Sequence, residues 1–322
     1  MTKPKMLHMG QWCWSATSPL VYTLQRNAKY AHFGYTKYFA YLELAFNGHQ
    51  GNSVKELYNR VVSGTWENWK STESPSHRLN LTEDLEPLRD FPLEHFTKLI
   101  TGLPTISKYV DFYSALYDHI STKGYKSVGD SFSYPNITSE YIQRFYDTVI
   151  SEFDVKVLFI ARDPVRRAFS KYLAERQKNE DNNAKSYNVK SLSYDINLLP
   201  YKLNITDYIR KIKIYNQRYG EENVHVIAME DLWEDDGTAK QQLSNFLDHP
   251  IPKLWKNLYA PDRGHLVEYD PDVPCQAYGQ NLQVLTEDIY YHYKNKYQYV
   301  YDAWEKHYGS LPLHWGTPLN YL

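Results

Sequence analysis

The stretch VKVLFIARDPVRRAFSKY, Val155 to Tyr172, decides the fold of this chain. Its first part is a nearly continuous apolar run, which is typical of a strand buried on both faces of a parallel sheet. Asp163 can cap a following helix, and Pro164 suits the first turn of that helix because no backbone donor is needed there. The pattern predicts a strand that ends at Arg162 and a helix that carries Ser170. Open α/β sheets bind ligands at this edge, and a helix start beside a guanidinium and a hydroxyl suits a phosphate group.

Strand and helix patterns alternate along the chain, as a parallel sheet flanked by helices requires. Further strands are predicted at Lys5–Met9, Tyr30–Phe33, Ser127–Gly129 and Val224–Met229. Helices are predicted at Pro19–Asn27, Glu140–Glu152, Ile205–Tyr219 and Ala239–Leu247, with one long amphipathic helix from Leu282 to Tyr308. The sequence shows no internal repeat and no linker. We therefore expect one α/β domain over residues 1–322.

Composition narrows the class of protein. The formal net charge of 322 residues is −2 and no long basic run appears, so general nucleic-acid binding has no electrostatic support. The two cysteines, Cys13 and Cys275, make no disulfide framework. No signal-peptide core and no bilayer-length apolar stretch is present, and no residue spacing demands a metal. These features predict a cytoplasmic enzyme without a nucleic-acid or membrane partner; they do not indicate an oligomeric state.

The segment around Arg162 resembles the sulfotransferases that use 3'-phosphoadenosine 5'-phosphosulfate (PAPS), of the carbohydrate, heparan and bacterial types. In that family an arginine after a strand, and a serine eight positions later, hold the 3'-phosphate of the nucleotide; Arg162 and Ser170 have this separation. The resemblance implies a P-loop nucleotide-kinase-like sulfotransferase fold. It also implies sulfuryl transfer to a hydroxyl or amine of a small-molecule or glycan acceptor, with 3'-phosphoadenosine 5'-phosphate (PAP) as product. Read alone, an Arg-Asp-Pro string is more often an ordinary strand end with a solvated charge.

The loop after the first strand, in MLHMGQWCWSATSPL, is the second segment to which the resemblance extends. A strand–loop–helix layout places backbone donors around an anion. In the family this loop reads G-x-x-K-x-G-T-[TS] and binds the 5'-phosphosulfate, but here Cys13 replaces the lysine and Ser15 the second glycine. The alternative is an ordinary turn packed by Trp12 and Trp14. The cofactor-binding residues predicted here are Gln11, Trp12, Cys13, Trp14, Ser15, Ala16, Thr17 and Ser18.

A third segment should supply catalytic groups. Tyr35 occupies the position of the family's catalytic glutamate. Transfer still needs a cation near the leaving phosphate and a base near the acceptor. Lys37 is the nearest candidate cation, and His32 is the nearest candidate base because imidazole titrates near neutrality. Glu43 and Asp130 are weaker alternatives.

Smaller matches extend the resemblance along the chain. GDSFSY and HVIAMEDL resemble the family's G-E-x-[ST]-P-x-Y and strand-plus-E-D-L segments, and the ending resembles its last helix and closing tryptophan. A late basic loop, Arg263-Gly264, is the candidate third contact with the cofactor. Residues 47–123 and 179–204 lie outside the resemblance and are expected to shape the acceptor site.

Two other functions remain open. A phosphoryl-transfer kinase would share the architecture but should carry a phosphate-loop lysine, which this chain lacks. A noncatalytic protein that binds PAP or PAPS would explain why the lysine and the glutamate are both missing, and it would keep Arg162 and Ser170.

Overall fold

The computed structural model describes residues 3–11, 20–21, 23–33, 86–88, 90–100, 105–130, 140–168, 208–233, 237–252 and 287–318. The strands are β1 Lys5–Gln11, β2 Ala31–His32, β3 Ser127–Asp130, β4 Asp154–Ala161 and β5 Val224–Ala228. The α-helices are α1 Leu93–Ile100, α2 Ile106–Ser121, α3 Glu140–Ser151, α4 Tyr208–Tyr219, α5 Met229–Trp233, α6 Thr238–Leu247, α7 Glu287–Lys296 and α8 Gln298–Tyr308. Residues 164–168 are also helical, and a π-helix spans Thr23–Asn27.

The five strands form one parallel sheet in the order β2-β3-β1-β4-β5. The prediction of an α/β protein with a parallel sheet flanked by helices is confirmed. The register pairs Gln11 with Ile160, and Ala161 with Ala228, so that β1, β4 and β5 end at one edge. The chain segments that follow these three strands therefore start side by side.

Both faces of the sheet are buried, each by its own apolar cluster. On β4, Val157 and Phe159 belong to one cluster, whereas Leu158 and Ile160 belong to the other. The first cluster packs the sheet against α2, α3, α4 and α8, and the second packs it against the π-helix and α6. Successive strand residues point to opposite faces, which is why a strand covered on both sides reads as a continuous apolar run.

Several predicted boundaries differ from those of the structure, most by a single residue. The first strand does not stop at Met9 but continues to Gln11, which is paired with β4. The fifth strand stops at Ala228, and Met229 begins α5. The long late helix is two helices, because Tyr297 leaves helical geometry at φ −101° and ψ 12° between α7 and α8. An unbroken amphipathic pattern does not reveal such a break, since both helices present an apolar face to the same core.

Helix ends elsewhere follow local rules. Thr105 caps α2 by accepting a hydrogen bond from the backbone N–H of Lys108. Gly220 follows α4 at φ +87°, a conformation that favours glycine. Among the described residues, no helix is both long and apolar enough to cross a membrane.

Candidate anion-binding site

Arg162 follows the last residue of β4, at the carboxyl edge of the sheet. The hydroxyl of Tyr208, in α4, donates a 2.8 Å hydrogen bond to the backbone carbonyl of Arg162. The side chain of Arg162 is 12% exposed. Gln11 ends β1 at the same edge, so the loop after β1 starts beside the strand end that carries Arg162.

Asp163 caps the helical segment 164–168, as predicted. Its Oδ1 accepts hydrogen bonds from the backbone N–H groups of Val165 at 3.0 Å and Arg166 at 3.1 Å. These two bonds satisfy donors at a helix start that have no partner within the helix. The direction of the chain after Arg162 is therefore set locally.

The second oxygen of Asp163 binds the end of the chain. Oδ2 accepts hydrogen bonds from the hydroxyls of Tyr290 at 2.7 Å and Tyr301 at 2.9 Å, and from the backbone N–H of Gly316 at 3.1 Å. The carboxylate is fully buried, and its five donors compensate for the lost hydration. Helices α7 and α8 thus meet at the residue next to Arg162.

Arg166 reinforces this contact. Its guanidinium donates from Nη1 to the carbonyl of His314 at 2.9 Å and from Nη2 to the carbonyl of Thr317 at 2.7 Å. The side chain is 4% exposed and its guanidinium carbon lies 5.8 Å from the ring centre of Tyr290. Asp163 and Arg166 therefore both bind the C-terminal segment.

Glu230 connects the segment after β4 with the C-terminal segment. The pairing of Ala161 with Ala228 places it level with Asp163, whose backbone N–H donates to Oε1 at 3.0 Å. Trp315 donates from Nε1 to Oε2 at 2.9 Å. Oε1 also lies 3.9 Å from Nε of Arg162 and 3.8 Å from Nη1 of Arg166.

The environment of Glu230 favours its protonated form. Burial and the charge of Asp163 raise the pKa of Glu230 to about 7, although Arg162 and Arg166 act in the opposite direction. Our sequence reasoning did not assign a site role to Glu230. The match of HVIAMEDL to the family's E-D-L segment was the signal that could have identified it.

Among the described residues, three arginines and two buried carboxylates lie at this edge. Arg162, Arg166 and Arg167 lie within six residues of one another. The guanidinium groups of Arg162 and Arg166 lie near the buried carboxylate of Glu230, and Asp163 is buried as well. Burial raises the pKa of Tyr208, and the nearby positive charge of Arg167 acts in the opposite direction. With both acids ionised the five groups carry one net positive charge. Arg162 is the most exposed of the three arginines, so the arrangement suits a phosphate or another anion bound at Arg162.

A second polar group lies lower in the sheet, on β1 and β3. Paired across these strands, His8 and Asp130 approach to 3.2 Å between Nδ1 and Oδ2. The hydroxyl of Tyr146 donates to Asp130 Oδ2 at 3.1 Å and lies 2.7 Å from His8 Nδ1, while Tyr215 is 3.3 Å from His8 Nε2. Asp130 Oδ1 accepts no hydrogen bond from the described residues. All four side chains are buried, so this group is part of the protein interior.

His32 lies apart from Arg162. The register places His32 level with Val128 on β3 and with Val155 on β4. Val155 is seven residues before Arg162, which corresponds to about 23 Å along the strand direction. The side chain of His32 is completely buried, with its ring edge-on to Tyr125 at 5.1 Å. Strand β2 has only two residues, so it ends well below the edge formed by β1 and β4. The structure does not bring the predicted base and the predicted phosphate ligand together.

Several predicted site residues lie outside the described part of the chain. They are Trp12, Cys13, Trp14, Ser15, Ala16, Thr17, Ser18, Tyr35, Lys37, Glu43, Ser170, Arg263 and Gly264. The segment 179–204 and much of 47–123 lie outside it as well. Of the predicted cofactor residues, Gln11 and Arg162 are described, and both lie at the carboxyl edge.

The fold and the family comparison together define the class of protein. The parallel sheet with the order 2-3-1-4-5 is consistent with the α/β sulfotransferase fold. Residues 107–262 match the family described as the sulfotransferase domain, and this match supports a sulfotransferase family for the chain. The match includes Arg162, Asp163 and Glu230 but ends before the C-terminal segment, which contacts Asp163 and Glu230.

Three sulfotransferases are among the solved structures to which this chain is similar. The sulfotransferase domain of the Synechococcus PCC 7002 olefin synthase is 15% identical with a TM-score of 0.44, over 82% of this chain and 80% of that chain. A sulfotransferase from Alicyclobacillus acidocaldarius is 15% identical with a TM-score of 0.44, over 97% and 98%. The sulfotransferase domain of the curacin biosynthetic pathway is 14% identical with a TM-score of 0.44, over 82% and 80%. Comparison with curated proteins found no match.

Proposed function

We propose that this protein is a sulfotransferase that uses PAPS as donor and transfers its sulfuryl group to a hydroxyl or amine of a small-molecule or glycan acceptor. The observation that carries the proposal is the position of Arg162. It follows β4 at the carboxyl edge, inside the segment that matches the sulfotransferase domain, and its guanidinium lies near the buried carboxylate of Glu230.

In this proposal Arg162 and Ser170 bind the 3'-phosphate. Arg162 suits the task because a guanidinium offers several donors in a planar arrangement that matches phosphate oxygens. Its backbone is held by Tyr208 and its side chain faces Glu230. The backbone donors of residues 11–18 would bind the 5'-phosphosulfate, with Arg263 and Gly264 as a third contact.

When bound, PAPS supplies an activated sulfuryl group, and PAP is the product. Lys37 is our proposed cation for the charge that develops on the leaving phosphate, a function for which the thiol of Cys13 is unsuited. His32 stays a prediction as the base, and its buried ring does not favour it. Transfer is proposed to be direct, without a covalent intermediate on Cys13.

The second candidate is a noncatalytic protein that binds PAP or PAPS. Cys13 and Tyr35, which replace the family's lysine and glutamate, favour this function. A kinase has less support because residues 10–17 lack the lysine of a phosphate-binding loop.

Calorimetry with PAP, ADP and ATP tests the proposal. We expect the protein to bind PAP more tightly than ADP, because the 3'-phosphate distinguishes the two. A charge-assisted contact is worth roughly 1.5–3 kcal/mol, so Arg162→Ala should weaken PAP binding about tenfold or more and leave ADP binding nearly unchanged. Arg210→Ala, which removes an exposed arginine of α4, is the matched control and should bind both like the parent.

Equal losses for PAP and ADP in Arg162→Ala, or no loss for either, would contradict the proposal. Incubation with PAPS and a panel of hydroxyl and amine acceptors, followed by measurement of PAP, separates the two candidates. A sulfotransferase forms PAP only with its acceptor present. Tight PAP binding without acceptor-dependent PAP formation across the panel would favour the noncatalytic protein.

A further inference from the structure

Trp315 fixes the carboxylate that faces Arg162. Its indole N–H holds Oε2 of Glu230 at 2.9 Å, while the backbone N–H of Asp163 holds Oε1 at 3.0 Å. Because each oxygen has a donor of fixed position, the plane of the carboxylate cannot turn. Oε1 is thereby kept 3.9 Å from Nε of Arg162.

The neighbouring arginine does not compete strongly for this carboxylate. Arg166 also lies 3.8 Å from Oε1 of Glu230, but it directs Nη1 and Nη2 to the carbonyls of His314 and Thr317 at hydrogen-bonding distance. The bonds of Arg166 hold the segment that carries Trp315. Oε1 of Glu230 therefore faces both guanidinium groups, of which that of Arg162 is the more exposed.

Trp315 also supports the backbone of Arg162. Its ring centre lies 5.8 Å from that of Tyr208, and the hydroxyl of Tyr208 donates to the Arg162 carbonyl at 2.8 Å. The indole is 3% exposed and packs against Trp304, with ring centres 4.6 Å apart. One buried tryptophan thus contacts both Glu230, which faces the Arg162 side chain, and Tyr208, which binds the Arg162 carbonyl.

We propose that Trp315 and Glu230 are positioning residues that orient Arg162 for the 3'-phosphate of the nucleotide. The inference rests on the proposed function. An arginine side chain has many rotamers, and restricting them before the ligand arrives lowers the entropic cost of binding. The C-terminal segment, outside the matched domain region, is in this way part of the phosphate site.

Calorimetry on the full-length protein tests this inference. Trp315→Phe keeps an aromatic ring and removes the indole N–H; we expect about fivefold weaker PAP binding and unchanged ADP binding. Glu230→Gln, which retains an oxygen to accept from the Asp163 N–H, should give a similar selective loss. Trp304→Phe is the matched control, since Trp304 is equally buried in the same aromatic cluster but does not contact Glu230 through a hydrogen bond. It should bind PAP like the parent.

A double-mutant cycle distinguishes positioning from a general loss of stability. If Trp315 acts through Arg162, Trp315→Phe should cause no further loss of PAP affinity in an Arg162→Ala background. Full additivity, or parental affinity in both Trp315→Phe and Glu230→Gln, would overturn the inference and leave the proposed function intact. If Arg162→Ala itself binds PAP like the parent, the proposed function fails and the inference fails with it.

Discussion

The hydroxyl of Tyr301 donates a 2.9 Å hydrogen bond to the carboxylate of Asp163, a residue 138 positions earlier in the chain. Tyr290 donates to the same oxygen, so two helices from the end of the chain meet one side chain at the end of β4. Asp163 caps the helix that follows with its other oxygen. One carboxylate therefore fixes both the local turn after Arg162 and the long-range closure of the fold.

Asp163→Asn should destabilise the protein without changing its fold. An amide can accept on one side only, and the backbone N–H of Gly316 cannot rotate away as a hydroxyl can. Hydrogen bonds to a buried charge contribute roughly 1.5–3 kcal/mol each, so we expect a loss of about 2–4 kcal/mol in the free energy of unfolding, measured in urea. Asp302→Asn, an exposed change on α8, should cost less than about 0.5 kcal/mol. A loss no larger than that of the control would show that this contact is not important for stability.

The effects on stability of changing the side chains at positions 129 and 33 should depend on each other, because Gly129 lies against Phe33. A Cβ at Gly129 would clash with the ring of Phe33 at Cδ1. Overpacking of this kind costs about 1–3 kcal/mol, and we expect such a loss for Gly129→Ala in thermal unfolding. Phe33→Leu should relieve the clash, so the double variant should be more stable than the sum of the two single changes predicts, by about 1 kcal/mol. Simple additivity would contradict the contact.

His225 should make the protein sensitive to acid. Burial lowers the pKa of His225 from 6.5 to about 4, and its ring stacks on Phe246. The unfolded chain thus binds a proton between pH 6.5 and 4 that the folded protein does not, so the contribution of neutral His225 is complete above pH 6.5 and is lost as the pH falls to 4. After allowance for partial solvent access, the loss is roughly 1–2 kcal/mol.

His225→Phe keeps the aromatic stack and cannot titrate. Its stability should therefore fall less than that of the parent between pH 6.5 and 4, in urea unfolding at a series of pH values. His292→Phe, which replaces an exposed histidine of α7, should keep the parental slope. Parallel pH profiles for the parent and His225→Phe would refute the assignment.

Lys37 provides a test of the catalytic half of the proposed function. A group that acts only in the transition state changes turnover with little effect on cofactor affinity. Lys37→Ala should bind PAP like the parent in calorimetry but form PAP about 100-fold more slowly in a steady-state assay with acceptor. Lys37→Arg keeps the charge and should recover part of the rate. Parental turnover in Lys37→Ala would remove Lys37 from the mechanism.

The sequence by itself determined the features that depend on near neighbours. The apolar run before Arg162 indicated a strand covered on both faces, and Asp163 and Pro164 indicated the helix start, because caps and strand burial depend on residues within one turn or one strand. The spacing in this stretch was also enough to indicate the family. The same local information could not separate α7 from α8, since both continue one amphipathic pattern.

Only the tertiary structure decided which distant side chains meet. The register between β4 and β5 brings Glu230 level with Asp163, and the packing of the last helices brings Trp315 to Glu230. The same sheet places His32, close in sequence to the predicted cation, far from Arg162 and inside the core. The hydrophobic periodicity of a segment indicates which face of a helix or strand is buried. Which residues pack against that face depends on strand order, register and helix packing, and these involve segments far apart in the chain.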